Sequence, residues 1–443
     1  MKTKFKILLG TSILFLLAGC SANNKPNANY SSEAPYDMGS RGESSNGGGY
    51  YDTTSPKSGE SGESGHDAEP PMVDTGSTSS EGEENSTTTN QNRPEPGQLT
   101  CSALDDNKDF EYWRELQSTN QTNVNKYYGY RNNYAFNAYN RLALNVINGK
   151  DIKVKIKDTE FETCVDNFNK AYLFPTIEAN EYNVEISYVD ASNQTQTLEK
   201  TVKDGDTVDL EQTFSISNYL QIMFVIDATG SMGDEIKYLQ SEIDDVITKV
   251  KAANANANVE LAIMMYRDVG QYEEYLIRYN DFTTDIAAQK TFLAAQRASG
   301  GGDIPEAVDQ ALTEAVDKQW SNNATKLLFF VADAPAHDKD VGIWNDAVKA
   351  AAAKGIKIIT VASSGIDTKT EYFFRCQSVI TGGQYVFITN DSGIGGDHLI
   401  ADTREKLPVE YLNSCLIRLV NGYFTGVMAE PIPYQQENQQ QMA

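Results

Sequence analysis

Residues 220–233 read LQIMFVIDATGSMG, and this stretch decides the fold class. Its first seven residues are almost all apolar, which predicts a strand buried on both faces. Asp227, Thr229 and Ser231 follow at every second position, and residues 234–251 then have the apolar spacing of a helix. A buried strand that leads through a polar loop into a helix is typical of an α/β protein with a parallel sheet.

The alternation of apolar strands and helices continues towards the end of the chain. Further strands are predicted at 259–265, 327–331, 356–361 and 385–388. Further helices are predicted at 304–318, 344–353, 370–380 and 402–420. Residues 216–427 are therefore expected to form an α/β domain with a doubly wound, mostly parallel sheet, whose ligand sites lie at the carboxyl ends of the strands.

The loops at that edge of the sheet carry oxygen-bearing side chains. Asp227, Thr229 and Ser231 share the first loop, Asp303 follows three glycines, and Asp333 follows the strand 327–331. Hard divalent cations such as Mg²⁺, Mn²⁺ and Ca²⁺ need several oxygen ligands from different loops. These five residues predict a site for one such cation. The simpler alternatives are helix caps at the Asp and Ser positions and a glycine hinge before Asp303.

The order of these residues resembles the metal-ion-dependent adhesion site of von Willebrand factor type A domains, over roughly residues 218–424. Asp227, Thr229 and Ser231 match the family's Asp-x-Ser-x-Ser motif, with threonine in place of the middle serine. Asp333 matches the aspartate of the family's third metal loop. The resemblance implies a binding domain that holds a divalent cation and engages a protein partner, through an acidic side chain of that partner.

The second loop departs from the usual family pattern, because Asp303 stands where a threonine is normal. In this feature the chain resembles the hemicentin-like and alpha-kinase-associated type A domains. Residues 266–268 and 333–337 resemble the same domains. An additional carboxylate should tighten the hold on the ion, favour Ca²⁺ over Mg²⁺, and weaken the pull on an acidic partner. His337 and Asp268 are candidate supporting residues around the metal. A loop histidine and a structural ion pair are the alternatives.

The first 19 residues have the layout of a signal peptide, with three early lysines and an apolar run at 7–17. The sequence Leu-Ala-Gly before Cys20 resembles the lipobox of bacterial lipoproteins, which implies a covalent lipid such as palmitate on Cys20. We expect anchoring in the bacterial cell envelope outside the cytoplasm, and in the outer membrane because Ser21 rather than aspartate follows. An ordinary signal peptide is the alternative.

Charge and composition describe the rest of the chain. The sequence has 37 basic and 62 acidic residues, a formal charge of −25, which disfavours nucleic acid as a partner. Residues 20–100 are rich in Ser and Gly and predict a disordered acidic linker after the anchor. Residues 428–443 form a polar tail, of which 435–443 are predicted to be disordered.

Residues 101–215 contain short alternating runs at 142–146, 152–156 and 184–188, separated by turn signals. They predict a small all-β sandwich before the α/β domain. Parts of this segment resemble the transthyretin-like sandwiches found beside carboxypeptidases, which implies a spacer or presentation module.

Four cysteines remain once Cys20 is acylated, and an even number in an exported chain favours disulfides. Three pairings are possible. Cys101 with Cys164 and Cys376 with Cys415 are favoured because each pair would lie within one predicted domain. Buried free thiols are the alternative.

The sequence lacks three common motifs of catalysis. His-Glu-x-x-His, Gly-x-Ser-x-Gly and the Walker loop are all absent from it. The leading hypothesis is therefore a lipid-anchored binding module and not an enzyme. The alternatives are a scaffold subunit whose metal is purely structural, and a metal-dependent hydrolase.

Overall fold

The computed structural model describes residues 94–119, 125–302 and 304–441. Its strands, in chain order, are β1 (Thr100–Leu104), β2 (Leu142–Ile147), β3 (Lys150–Ile156), β4 (Glu162–Cys164), β5 (Lys170–Leu173), β6 (Tyr182–Val189), β7 (Thr195–Val202), β8 (Thr207–Asp209), β9 (Tyr219–Asp227), β10 (Asn258–Tyr266), β11 (Ile277–Thr283), β12 (Thr325–Ala332), β13 (Ile356–Ala362), β14 (Tyr385–Ile388) and β15 (Glu410–Tyr411). Its α-helices are α1 (Phe110–Leu116), α2 (Tyr128–Asn133), α3 (Ile236–Ala253), α4 (Ile286–Ala294), α5 (Val308–Val316), α6 (Val341–Lys354), α7 (Thr368–Thr381), α8 (Leu412–Thr425) and α9 (Tyr434–Gln441).

The large sheet has eight strands in the order β11-β10-β9-β12-β13-β14-β1-β15. Strands β10, β9, β12, β13 and β14 are parallel, whereas β11, β1 and β15 join antiparallel. The predicted α/β class with a mostly parallel sheet is confirmed, and a small β region precedes it.

Strand β9 shows why both faces of the sheet are covered. Leu220, Ile222 and Phe224 pack with α3 and α8, whereas Met223 and Val225 pack with α5, α6 and α7. Side chains of a strand point alternately to opposite faces. A continuous apolar run therefore buries a strand on both faces, as the sequence predicted.

The small β region consists of a three-stranded sheet, β5-β2-β8, and a four-stranded sheet, β4-β3-β6-β7. Its pairs are antiparallel except β2 with β8. Each of the three predicted β segments of this region contributes a strand, namely β2, β3 and β6. Helices α1 and α2 also lie in this part of the sequence and were not predicted.

Strand β1 corrects the predicted division of the chain at residue 101. It lies in the large sheet, between β14 and β15, rather than in the small β region. Before it, the Glu242 carboxylate accepts hydrogen bonds from the backbone N–H groups of Gly97, Gln98 and Leu99 at 2.8–3.1 Å. The fold therefore begins before residue 100, which was the predicted end of the linker.

The end of the chain also differs from its prediction. Residues 434–441 form α9 instead of a disordered tail. Tyr434 packs edge-on against Tyr411, with ring centroids 5.8 Å apart, and the Ser414 hydroxyl donates to Glu437 at 2.9 Å. Because these partners lie on β15 and α8, tertiary contacts hold a helix of eight residues that is too short to be stable by itself.

Both favoured disulfides are wrong. Cys101, Cys164, Cys376 and Cys415 are all free, and Cys101 lies beside Cys415. The prediction failed because it placed Cys101 and Cys415 in separate domains. Strand β1, which contains Cys101, belongs to the same sheet as β15, and β15 leads directly into α8.

The signal peptide, Cys20, most of the linker and Asp303 lie outside the described residues. Within the described part of the chain, no helix combines the length and the apolar character needed to cross a membrane.

Candidate metal centre

The candidate metal loops meet at the point where the strand order of the large sheet reverses. From β9 the chain crosses to β10 on one side and later to β12 on the other. The loops after β9 and β12 therefore leave the sheet in opposite directions, which opens a crevice at their carboxyl ends. Asp227 ends β9, and Asp333 directly follows β12.

The first loop folds so that its polar side chains converge. The backbone N–H and the hydroxyl of Thr229 both donate to Asp227 Oδ1, at 2.8 and 2.7 Å. A short 3₁₀ helix, Gly230–Asp234, then brings the Ser231 hydroxyl within 3.1 Å of the Thr229 hydroxyl. Asp227 and Thr229 are fully buried, while Ser231 is exposed, so the cluster opens to solvent on the Ser231 side.

Backbone hydrogen bonds join the three loops. Gly230 N–H donates to the Gly300 carbonyl at 2.9 Å, which links the first loop to the second. Glu306 N–H donates to the Pro335 carbonyl at 3.1 Å, which links the second loop to the third. The three loops that carry the predicted metal ligands are therefore adjacent in space. A ligand role for Asp303 stays a prediction.

Glu273 holds the glycines of the second loop. Its carboxylate accepts the Gly301 N–H at 2.8 Å and lies so close to Gly300 that a Cβ there would be 2.0 Å from Glu273 Oε2. Gly300 also has φ +79°, a conformation that favours glycine. The glycines therefore form a cradle for the largely buried Glu273 carboxylate, a role beyond the hinge considered from the sequence.

Two carboxylate oxygens at the centre are buried and have no hydrogen-bond partner among the described residues, Asp227 Oδ2 and Asp333 Oδ1. Burial, and then the charge of Asp333, raises the pKa of Asp227 to about 7. Burial raises the pKa of Asp333 to about 6, with smaller contributions from Glu235 and Asp234, while the Ser231 hydroxyl opposes the shift. The site is therefore short of positive charge.

The donor set fits a hard divalent cation. Two carboxylates and two hydroxyls supply the oxygen ligands that Mg²⁺, Mn²⁺ or Ca²⁺ takes, and water could complete the shell. In the described ranges no three His, Cys, Asp or Glu side chains are grouped to hold a metal by themselves. The proposed shell therefore includes the hydroxyls of Thr229 and Ser231.

Sequence reasoning missed two acidic residues beside the centre. Glu306 is 3% exposed and lines a pocket of about 220 Å³ over the loops, together with Gly230, Ser231, Gly300, Gly301, Gly302 and Ile304. Glu235 is fully buried and accepts the backbone N–H of Ser364 at 3.2 Å. Only the proline that precedes Glu306, at the start of a predicted helix, could have drawn attention to it.

His337 and Asp268, predicted as supporting residues, lie together at the same edge of the sheet. His337 Nε2 is 3.1 Å from Asp268 Oδ1, and Asp268 is 6% exposed. Their contribution to metal binding stays a prediction.

The family comparison agrees with this geometry. The sequence profile described as von Willebrand factor A domain matches residues 221–390, which include the first, second and third loops. The chain contains a von Willebrand factor A domain. The A domain thus accounts for β9 to β14 and the helices between them.

Two curated proteins are similar to part of the chain. The alpha-protein kinase vwkA of Dictyostelium discoideum is 24% identical over 170 residues, covering 38% of this chain and 27% of the kinase. The putative ariadne-like RING finger protein R811 of Acanthamoeba polyphaga mimivirus is 26% identical over 207 residues, covering 42% of this chain and 20% of that protein. The chain spans less than a third of either relative.

Solved structures show distant likeness in fold alone. BatB from Bacteroides thetaiotaomicron is 13% identical with a TM-score of 0.27, over 50% of this chain and 95% of BatB. The pilus adhesin SpaC from Lactobacillus rhamnosus GG is 12% identical with a TM-score of 0.32, over 63% of this chain and 34% of SpaC.

Proposed function

We propose that the A domain holds a divalent cation between Asp227, Thr229, Ser231 and Asp333 and uses it to bind another protein. The supporting observation is the pair of buried carboxylate oxygens without hydrogen-bond partners, Asp227 Oδ2 and Asp333 Oδ1. A buried carboxylate oxygen that faces neither a cation nor a hydrogen-bond donor is costly in free energy. A bound cation would neutralise both.

Each residue at this centre would have a distinct role. Asp227 and Asp333 would supply the charge that retains the ion, and the Thr229 hydroxyl orients Asp227. Ser231 lies at the exposed side, where a partner has access. When bound, the ion would offer an electrophilic position to a carboxylate of the partner. Because Glu235 and Glu306 make the surroundings acidic, attraction of an acidic side chain depends on the ion itself.

A domains mediate protein–protein interactions. We propose in addition that this A domain is anchored to a membrane. Cys20 would carry a lipid and hold the A domain outside the cytoplasm, at the outer membrane of a bacterial envelope. The support is the signal-like sequence and the residues before Cys20. Metabolic labelling with a palmitate analogue tests it: Cys20→Ser should lose the label, and Ser21→Ala should keep it. An unlabelled native chain would refute the anchor.

Calorimetric titration of the full chain with Mg²⁺, Mn²⁺ and Ca²⁺ tests the metal site. The native protein should bind at least one ion. Asp227→Asn, which keeps the side-chain shape, should bind none. Asp346→Ala, which removes an exposed carboxylate on α6, is the matched control and should bind as the native protein does. Equal binding by Asp227→Asn would place the ion elsewhere.

Partner binding separates this proposal from its alternatives. The native chain should crosslink to a partner protein in an envelope extract. This crosslink should disappear after chelation of metals and in the Asp227→Asn variant, and it should persist in the Asp346→Ala variant. Retention in all of these conditions would favour a scaffold with a structural metal. Metal-dependent turnover of a phosphate ester that Asp227→Asn abolishes would favour the hydrolase.

A further inference from the structure

Two cysteines from opposite ends of the folded chain lie side by side. Cys101 is in β1, and Cys415 is in the first turn of α8. Both side chains are fully buried in the same apolar cluster, and the Cys415 thiol is close enough to Cys101 to influence its ionisation.

Backbone pairing fixes this proximity. Cys101 lies opposite Glu410 in the pairing of β1 with β15. The chain then enters α8, where Leu412 N–H donates to the Leu99 carbonyl at 2.8 Å. One helical turn returns Cys415 over β1.

An ion pair supports the same arrangement. Arg418 Nε donates to Glu410 Oε1 at 2.9 Å, and Arg418 Nη2 lies 3.7 Å from Cys415 Sγ. Arg418 therefore ties the start of α8 to the strand that pairs with Cys101. The contact between the thiols follows from three separate links and not from one side-chain rotamer.

We propose that Cys101 and Cys415 form a disulfide when the protein folds in an oxidising compartment. A sulfur–sulfur bond forms as the two thiols lose two protons and two electrons. The acceptor is the disulfide of a thiol–disulfide oxidoreductase, which is reduced to two thiols. The inference is independent of the metal site.

The environment indicates when this bond must form. Burial, and then the neighbouring Cys415 thiol, raises the pKa of Cys101 well above its ordinary value. Thiol exchange needs a thiolate and access to the oxidant, and the folded core provides neither. The exchange therefore precedes the closure of α8 over β1.

The disulfide would join the entry of the chain into the fold to its last large helix. Strand β1 is the first strand of the described chain, and α8 follows the last strand of the large sheet. A cross-link between them closes nearly the whole A domain and the small β region into one loop. Force applied through the preceding residues would then reach α8 as well as the hydrogen bonds of β1.

Thiol mapping tests the proposal directly. The Cys20→Ser full chain is refolded in a reduced and oxidised glutathione buffer, alkylated while denatured, and mapped by peptide mass spectrometry. We expect alkylation of Cys164 and Cys376, and a linked peptide pair containing Cys101 and Cys415. Four alkylated cysteines, or a link from Cys101 to Cys164 or Cys376, would overturn the proposal.

A thermal measurement adds a second readout. Reduction should lower the Tm of the Cys20→Ser chain by roughly 5–10 °C, because a long loop is released in the unfolded state. The double variant Cys164→Ala/Cys376→Ala should keep this shift. The double variant Cys101→Ala/Cys415→Ala should lose it. A Tm of the Cys20→Ser chain that does not change on reduction would contradict a stabilising cross-link. The peptide map of that chain tests the disulfide even if one of the double variants does not fold.

Discussion

Arg375 on α7 forms a buried, two-bond ion pair with Asp106, which lies just after β1 in the N-terminal part of the fold. Arg375 Nε donates to Asp106 Oδ2 at 2.9 Å, and a second bond joins the other oxygen to the guanidinium. The Tyr127 hydroxyl accepts from Arg375 at 3.1 Å, and Lys126 pairs with Glu371 at 2.7 Å. The segment between β1 and the small β region is thus bound to the A domain by a charged network inside the protein.

Arg375→Met should lower the free energy of unfolding by about 3–5 kcal/mol, because it leaves Asp106 charged and buried without its partner. Denaturation in guanidinium chloride measures this loss. Lys157→Met, which removes the partner of Glu199 in an exposed pair, is the control and should change stability little. Similar losses in both variants would show that burial of the Arg375 pair is not the deciding factor.

A fragment comprising residues 218–425 should not fold as a stable A domain. It lacks β1, so β14 and β15 lose their shared neighbour. It also lacks Asp106 and the N–H groups of residues 97–99, so the buried side chains of Arg375 and Glu242 lose these partners. Circular dichroism on heating should show a cooperative transition for residues 94–441 and none for the fragment. A cooperative transition in the shorter fragment at a similar temperature would refute this dependence.

The metal-free protein should lose stability as the pH rises from about 4 to 8. The folded-state pKa values of Asp227 and Asp333, about 7 and about 6, exceed the unfolded value of about 3.9. Their stabilising contribution is complete below the unfolded pKa and is lost as the pH rises through the folded values. The loss should amount to several kcal/mol, on the order of 1.4 per unit of pKa difference.

Addition of the cation at pH 8 should restore the stability lost by the metal-free protein, because it pairs with the two carboxylates. Thermal denaturation across pH, with and without Ca²⁺ or Mg²⁺, measures both effects. Asp227→Asn should flatten the pH dependence and lose the rescue by metal. Rescue that persists in this variant would point to another cation site.

His398→Ala should destabilise the segment that covers the start of α3. His398 Nε2 lies 2.7 Å from Glu235 Oε1, and His398 Nδ1 lies 2.7 Å from Asn390 Oδ1. The side chains of His398 and Glu235 are each 1% exposed. Losing a partner of a buried carboxylate should lower the free energy of unfolding by about 1–3 kcal/mol. Faster hydrogen exchange should be confined to residues 390–398 and the start of α3.

A double-mutant cycle with Glu235→Gln isolates the interaction of this pair. The effects of the two variants should be non-additive, because the residues are in direct contact. His337→Ala removes a more exposed histidine, 21% accessible, and serves as the control for loss of an imidazole. Additive effects of His398→Ala and Glu235→Gln would contradict a coupled pair.

The sequence by itself determined the A domain and the polar residues of its first candidate metal loop. Residues 220–233 carry both signals. Their apolar run predicts a buried strand, and the alternating polar residues place candidate metal ligands at the carboxyl end of that strand. Asp333 was predicted as a ligand for the same reason, because it follows an apolar strand. These features are local, because strand and helix periodicities are set by the backbone geometry of neighbouring residues.

Only the tertiary structure decided which distant segments meet. The pairing of β1 with β14, the contact of Cys101 with Cys415, and the ion pair of Arg375 with Asp106 join residues far apart in the chain. Glu273 and Glu306 likewise reach the metal loops through the folding of other segments. No local pattern encodes such contacts, because they arise from burying complementary surfaces of separate elements in one core.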